Sequence, residues 1–346
     1  MFVLQLARVK APGGIHTAVA HYERMFRSTG VRSALLFRGP AASTLGADAA
    51  DILDLPPLAA TPWAARLPLS NGLQHDVRDR ANGEPLAILV HSDLALPRVR
   101  HLFPEAVIVA PCHSDKTKHK RQADLVVTLN ATQQQLVSAA LPRTRVAEIG
   151  NPFVPPVTRT PIALANAAPR FNFIGRFEGF KDPLTLIEAF SAARLSNDIE
   201  LRLVGAGRMD NEVREAAARA PRKVTLAGWR DQPFSEFSSN DVLVLPSLWE
   251  SYSYVIREAL DLGVPIIASD IPVHRAALGD GAFGDLFPPG DSRALAAILE
   301  RAITDVPRLR QMSEKGGEAL RARYGAKPFW KALRNEIEWV LATRAQ

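Results

Sequence analysis

The sequence predicts an α/β fold of two wound parallel-sheet domains facing a cleft, and three observations predict it. Short apolar runs alternate with helix-length amphipathic segments, the order that builds parallel sheets through crossover helices. The alternation breaks once, in a proline-rich stretch near the middle, and then restarts. Several of the runs are followed directly by a polar segment, where wound sheets carry their ligands beyond the carboxyl ends of the strands.

The first domain opens with the strand Phe2 to Leu6 and the loop Lys10-Ala11-Pro12-Gly13-Gly14. A helix follows, with Ile15, Ala18, Val19, Tyr22, Met25 and Phe26 on one face and Gly30 as its stop. Val31 to Phe37 reads as the next strand. Leu86 to Val90 and Ala106 to Ala110 continue the sheet, each leading into a polar segment, His91-Ser92-Asp93 and Cys112-His113-Ser114-Asp115. Pro152, Pro155, Pro156 and Pro161 then fall in a stretch without period. That places a first domain at residues 1–155, a linker at 156–169 and a second domain at 170–327, with a last helix, 328–346, returning to the first domain.

In the second domain Phe171 to Ile174, Glu200 to Val204, Lys223 to Leu226, Val242 to Leu245 and Ile266 to Ala268 read as strands. Pro183 to Ala193, Asp210 to Ala220, Tyr254 to Leu262, Ser292 to Thr304 and Ser313 to Ala322 read as helices.

Composition bounds the function. The chain has 346 residues, 47% hydrophobic and 23% charged, enough for two domains with cores and against disorder. A single cysteine, Cys112, leaves no intrachain disulfide and fits a reducing compartment. No apolar run reaches membrane-spanning length, so a cytoplasmic protein, or one peripheral at the inner face of a membrane, is expected. The formal charge is +6, and the whole excess falls in residues 1–165. That asymmetry fits an anionic partner, such as a phospholipid surface, a phosphorylated glycolipid or nucleic acid, and it fits a solvated basic face equally well.

Two loops carry the chemistry. Gly175-Arg176-Phe177-Glu178-Gly179-Phe180-Lys181-Asp182-Pro183 lies between a strand and a helix. An arginine that forks onto phosphate oxygens and a lysine that adds a point charge suit a diphosphate leaving group. Glu250 and Glu258, in Trp249-Glu250-Ser251-Tyr252-Ser253-Tyr254-Val255-Ile256-Arg257-Glu258, straddle the start of a helix that Ser251 or Ser253 can cap and that closes at Gly263. Unpaired N–H groups at that start favour an anion, and each acid can accept from a different hydroxyl of one long ligand. The plainer account of the pair is a dipole-favoured acid and a salt-bridged one. Gly205-Ala206-Gly207 resembles a dinucleotide fingerprint whose third glycine is replaced by Asp210, and reads as a tight turn. Trp229 could flank a base, and core packing is the favoured reading. His113 reads either as a structural hydrogen-bond donor or as a group near the reaction. No Asp-x-Asp and no His/Cys cluster at ligand spacing occurs, so no metal is expected.

These motifs resemble the retaining glycosyltransferases of the GT-B fold, family four, over residues 171–275 and more faintly over 1–155. The resemblance implies two Rossmann-like domains and a transferase moving a sugar from a nucleoside diphosphate sugar to a glycan or glycolipid acceptor, in envelope polysaccharide or lipopolysaccharide synthesis. It implies no separate cofactor and no nucleic-acid partner, while the basic excess of the first half, with Arg98, Arg100, Lys116, Lys118, Lys120 and Arg121, suggests peripheral contact with anionic membrane. Arg176 and Lys181 would bind the diphosphate, Glu250 the sugar hydroxyls and Glu258 the ribose. Gly175 and Ser251, Tyr252, Ser253, Tyr254 and Val255 would line the donor. Gly14 would close over the reacting end, and His113 would lie near the transferred sugar. Family members carry Gly-Phe-Gly where this chain has Ser251-Tyr252-Ser253 and often Asn-Gly where it has Gly150-Asn151-Pro152-Phe153. A nucleotide-sugar epimerase and a catalytically silent sugar-nucleotide-binding module are the alternatives on the same fold.

Overall fold

The computed structural model describes residues 1–8, 13–38, 52–54, 69–156, 162 and 169–344. The chain divides into one unit of Met1–Pro156 with Ala322–Gln346 and another of Val157–Arg321. The loop residues Lys10, Ala11 and Pro12 and most of the proline-rich linker lie outside the described residues.

In the first unit, strands β1 (Phe2–Arg8), β2 (Ser33–Arg38), β3 (Ile52–Asp54), β4 (Leu86–Val90), β5 (Val107–Pro111), β6 (Leu125–Thr128) and β7 (Arg145–Glu148) form a parallel sheet in the order β3-β2-β1-β4-β5-β6-β7. Sequence reasoning passed over β3, β6 and β7, which are short. β4, β5 and β6 are buried along their whole length, because helices cover both faces of the sheet. Alternate residues serve the two sides. Val3, Ala87, Leu89, Val107 and Val109 face Tyr22, Met25 and Phe26 of the helix Gly14–Thr29 and Phe329, Leu333 and Ile337 of the helix Ala326–Arg344. Leu4, Ile88, Val90 and Ile108 face Val77, Val99, Leu102 and Val137. Each large apolar side chain buried this way contributes about 1.5–3 kcal/mol. Gly30 ends the first helix in the left-handed conformation, φ 70°, as its sequence position predicts.

In the second unit, β8 (Arg170–Ile174), β9 (Glu200–Val204), β10 (Val224–Gly228), β11 (Asp241–Leu245), β12 (Ile266–Ser269) and β13 (Asp285–Phe287) form a parallel sheet ordered β10-β9-β8-β11-β12-β13. The two helices read at Ser292 to Thr304 and Ser313 to Ala322 are one, Ser292–Tyr324, running through Pro307. A proline inside a helix costs about 3 kcal/mol. Here the neighbouring Val306 and Leu309 are both buried in the second core, and that packing overrides the local preference. Among the described residues no helix is long and apolar enough to cross a membrane.

Candidate functional site

β8 and β11 pair side by side, so the loops after their carboxyl ends meet. The Phe180 carbonyl accepts the Leu248 N–H at 2.8 Å, and the Phe180 and Trp249 rings pack edge to face with centroids 6.2 Å apart. This docking brings the Lys181 ammonium onto the Glu250 carboxylate as an ion pair, with 14% and 8% of the two side chains exposed. Arg176 is exposed in the same loop, its guanidinium 5.7 Å from the Phe180 ring centroid, against 5.8 Å for Lys181. Among the described residues Arg176 has no carboxylate partner.

Glu250 draws on two further strand ends. Ser247 Oγ donates to its Oε1 at 3.1 Å, and His274 Nε2 lies 3.8 Å from the same oxygen, beyond hydrogen-bond reach but close enough for electrostatic attraction. Ser269, which ends β12, ties the cluster together: its hydroxyl donates to the Ser247 carbonyl at 2.5 Å and lies 3.2 Å from His274 Nδ1. Ser247, Ser269 and His274 are fully buried. Burial pushes the Glu250 carboxyl up, yet His274 and Lys181 more than offset it and hold the group below its ordinary value. Glu250 is thus a buried carboxylate kept ionised by Lys181 and His274.

The two glycines after β9 show why the neighbouring turn is tight. A Cβ on Gly205, at φ 153°, would lie 1.8 Å from the Gly175 carbonyl oxygen, and one on Gly207 would lie 2.3 Å from that of Phe177. Asp210 Oδ1 accepts the Gly207 N–H at 2.7 Å. The turn therefore braces the Arg176 loop.

Between the acids, Ser253 holds the N-cap position of the helix Tyr254–Asp261, but its side chain makes no capping bond, contrary to the sequence expectation. Its conformation is set from beneath instead. The buried Arg257 guanidinium lies 3.6 Å from the Tyr252 ring centroid and donates to the Ser253 carbonyl at 3.0 Å, while Tyr252 and Tyr254 pack edge to face at 4.9 Å. Ser251 and Val255 are half-buried, and Glu258 sits, half-buried, in the second turn of the helix. Trp229 is not core: it is 49% exposed, and its indole N–H donates to Asp231 at 3.3 Å.

Gly14 and His113 belong to the first unit. Gly14 begins a helix, and a Cβ there would meet nothing within 4 Å among the described residues, so neither packing nor backbone conformation requires glycine. His113 follows β5, half-buried, with Nε2 2.9 Å from His91 Nδ1. Burial pushes the His113 imidazole down to about 4, with Lys120 adding to that and Asp93 opposing it. Behind it Lys120 is fully buried, donating to Asp93 at 2.7 Å and to the Ser114 carbonyl at 2.9 Å.

Sequence reasoning missed Ser247, Ser269, His274 and Arg257. Ser269 was within reach, because it follows the run Ile266 to Ala268 just as the chosen loops follow theirs. Arg257 gave no signal, since a charged residue in an amphipathic helix reads as exposed.

Two wound parallel sheets, the second with a cation loop and an ionised acid at its carboxyl edge, define the GT-B class of α/β architecture. The solved Anabaena protein HepE in complex with UDP-glucose shares that fold, with a TM-score of 0.74 at 18% identity over 99% of this chain and 100% of that one. Residues 168–305 match the family described as Glycosyl transferases group 1. A phosphatidyl-myo-inositol mannosyltransferase of Mycobacterium leprae is 33% identical over 179 residues, covering 50% of this chain and 46% of the relative. The chain thus spans about half the length of that relative. The alpha-D-kanosaminyltransferase of Streptomyces kanamyceticus is 27% identical over 71% of this chain and 68% of its own.

Proposed function

We propose that the chain is a retaining, metal-independent glycosyltransferase that moves a hexosyl group from a nucleoside diphosphate sugar to a hydroxyl of a glycan or glycolipid, in envelope polysaccharide or lipopolysaccharide synthesis. The observation that carries this reading is the buried Lys181–Glu250 pair at the strand edge, with Arg176 in the same loop. A diphosphate competes for Lys181 and draws Arg176 alongside it, since both cations prefer a phosphate that offers several oxygens. Glu250, held ionised by Lys181 and His274, then accepts from sugar hydroxyls, and Glu258 serves the ribose. Gly175 and the segment Ser251 to Val255 line the donor, and the start of the helix Tyr254–Asp261 adds its dipole to the phosphate.

As the anomeric C–O bond to phosphate stretches, positive charge grows on the sugar ring and negative charge on the departing diphosphate. Lys181 and Arg176 stabilise the second of these. No carboxylate is stationed as a nucleophile, so the acceptor hydroxyl attacks on the face the diphosphate leaves and gives its proton to a donor phosphate oxygen. Gly14 leaves room for the reacting end of the donor, and His113 contacts the transferred sugar.

Hydrolysis and transfer across a panel of UDP-, GDP- and ADP-sugars tests the whole reading. A transferase releases the nucleoside diphosphate slowly alone and faster with acceptor. Release with rearrangement of the free sugar marks an epimerase instead, and binding without release marks a silent module.

A further inference from the structure

Besides Lys120, three buried polar side chains stand behind His113: Gln5 on β1, fully buried, and Glu23 and His91, each 3% exposed. β1 pairs with β4, and the His91 N–H donates to the Leu6 carbonyl at 2.9 Å, which seats the imidazole next to Gln5. Burying such groups is costly unless each finds a partner. Here they bond in series. Gln5 Nε2 donates to Glu23 Oε1, His91 Nε2 lies 2.7 Å from Gln5 Oε1, and His91 Nδ1 lies 2.9 Å from His113 Nε2.

The direction of this series is fixed from one end. Gln5 turns its amide nitrogen to Glu23 and its carbonyl oxygen to His91. That oxygen only accepts, so His91 carries its proton on Nε2 and offers a lone pair at Nδ1. His113 must then donate through Nε2–H, which leaves its own Nδ1 unprotonated. Among the described residues Nδ1 of His113 has no protein partner. Burial keeps both rings neutral: it lowers His91 well below its ordinary value, with His113 adding to the effect. Asp93 and Lys120 are the other charged groups facing His113, and they act in opposite directions.

We propose that Glu23, Gln5 and His91 are positioning residues that hold His113 in the Nε2–H tautomer, so that its Nδ1 meets a substrate hydroxyl as a hydrogen-bond acceptor. The inference rests on the contact assigned to His113 under the proposed function. Without the relay the two neutral tautomers would compete, and the N–H form at Nδ1 would repel a hydroxyl proton.

Long-range 1H–15N correlation spectra of the full chain labelled in histidine nitrogen read the tautomer directly, with His113→Asn assigning the signal. The wild-type ring should show protonated Nε2 and bare Nδ1. Glu23→Gln, nearly isosteric, removes the obligate acceptor and should give a mixture of tautomers. In hydrolysis of UDP-glucose or GDP-mannose, whichever the protein turns over, it should lower kcat about tenfold with KM little changed. In a His113→Ala background the same change should cost nothing further, whereas a merely structural role costs the same in both backgrounds. A wild-type Nδ1–H tautomer, or equal losses in the two backgrounds, overturns the inference while leaving the proposed function intact. Full turnover by His113→Ala removes the contact assigned to His113 and this inference with it.

Discussion

Lys181 and Glu250 hold each other in a setting where neither is dispensable to the other. Two charges largely out of water are tolerated because they are paired, and breaking such a pair costs about 3 kcal/mol by leaving one of them uncompensated. Lys181→Ala should therefore lower thermal stability. Because the lysine's attraction helps hold the Glu250 carboxyl down, its loss raises that pKa and moves the acid limb of the pH–rate profile to higher pH. The stability that Glu250 contributes is present at neutral pH in the wild type and is lost as pH falls through its depressed value; in the variant that loss begins at higher pH. Turnover should fall about a hundred- to a thousandfold, the scale of losing a group that stabilises transition-state charge, with a much smaller change in donor affinity. Loss of affinity alone, measured by calorimetry against single-turnover rates, would show that Lys181 binds the donor without stabilising its departure. The residues of this pair were legible in the sequence because each lies a few positions beyond an apolar run. His274 was not, because its partner Glu250 is twenty-four residues away and only the adjacency of β11 and β12 brings the two together.

The helix Tyr254–Asp261 and the segment before it depend on Arg257 in a way a Gly-Phe-Gly segment would not. Two glycines let a backbone approach a ligand without support, whereas Ser251-Tyr252-Ser253 has side chains that must be placed. Arg257 places them, stacking on Tyr252 and bonding the Ser253 carbonyl from the first turn of the helix. Arg257→Met keeps the apolar stem and removes both the cation–π contact and the hydrogen bond, about 2 kcal/mol together. Donor binding measured by calorimetry should weaken about tenfold, and the melting temperature should fall with it. Unchanged donor affinity alongside a lowered melting temperature would show that Arg257 supports the helix and not a donor site. The regular elements were legible where apolar runs were bounded by glycine or proline, as at Gly30 and Pro246. They were misread where tertiary burial overrode a local signal, as at Pro307, and missed where a strand was short, as at β7, whose four residues Arg145, Val146, Ala147 and Glu148 show no alternation of polar and apolar.

Charge is distributed between the two units more unevenly than between the halves of the sequence. The terminal segment Ala322–Gln346 belongs to the first unit and is itself basic, with Arg323, Lys327, Lys331, Arg334 and Arg344 against Glu336 and Glu338. With it, the first unit carries twenty-two Lys and Arg against fourteen Asp and Glu, leaving twenty against twenty-two in the second. Some of its cations are paired within the unit: Arg145 with Glu336 at 2.7 Å, Arg100 with Asp124 at 2.5 Å and Lys120 with Asp93 at 2.7 Å. Lys116, Lys118, Arg121, Lys327 and Lys331 remain exposed, and cations near an anionic surface are worth about 1 kcal/mol each. An acceptor carried on an anionic lipid surface fits the basic unit, and the near-neutral second unit suits a small, freely diffusing donor. The protein should co-sediment with vesicles containing anionic phospholipid at low salt, be released as ionic strength shortens the screening length to a few ångströms, and ignore neutral phosphatidylcholine vesicles. Replacing Lys327 and Lys331 together by glutamine should weaken retention about tenfold without changing hydrolysis of the soluble donor. Equal retention on neutral and anionic vesicles would point to apolar contact through exposed residues such as Leu94 instead, and no retention at low salt would leave the basic unit with a soluble acceptor.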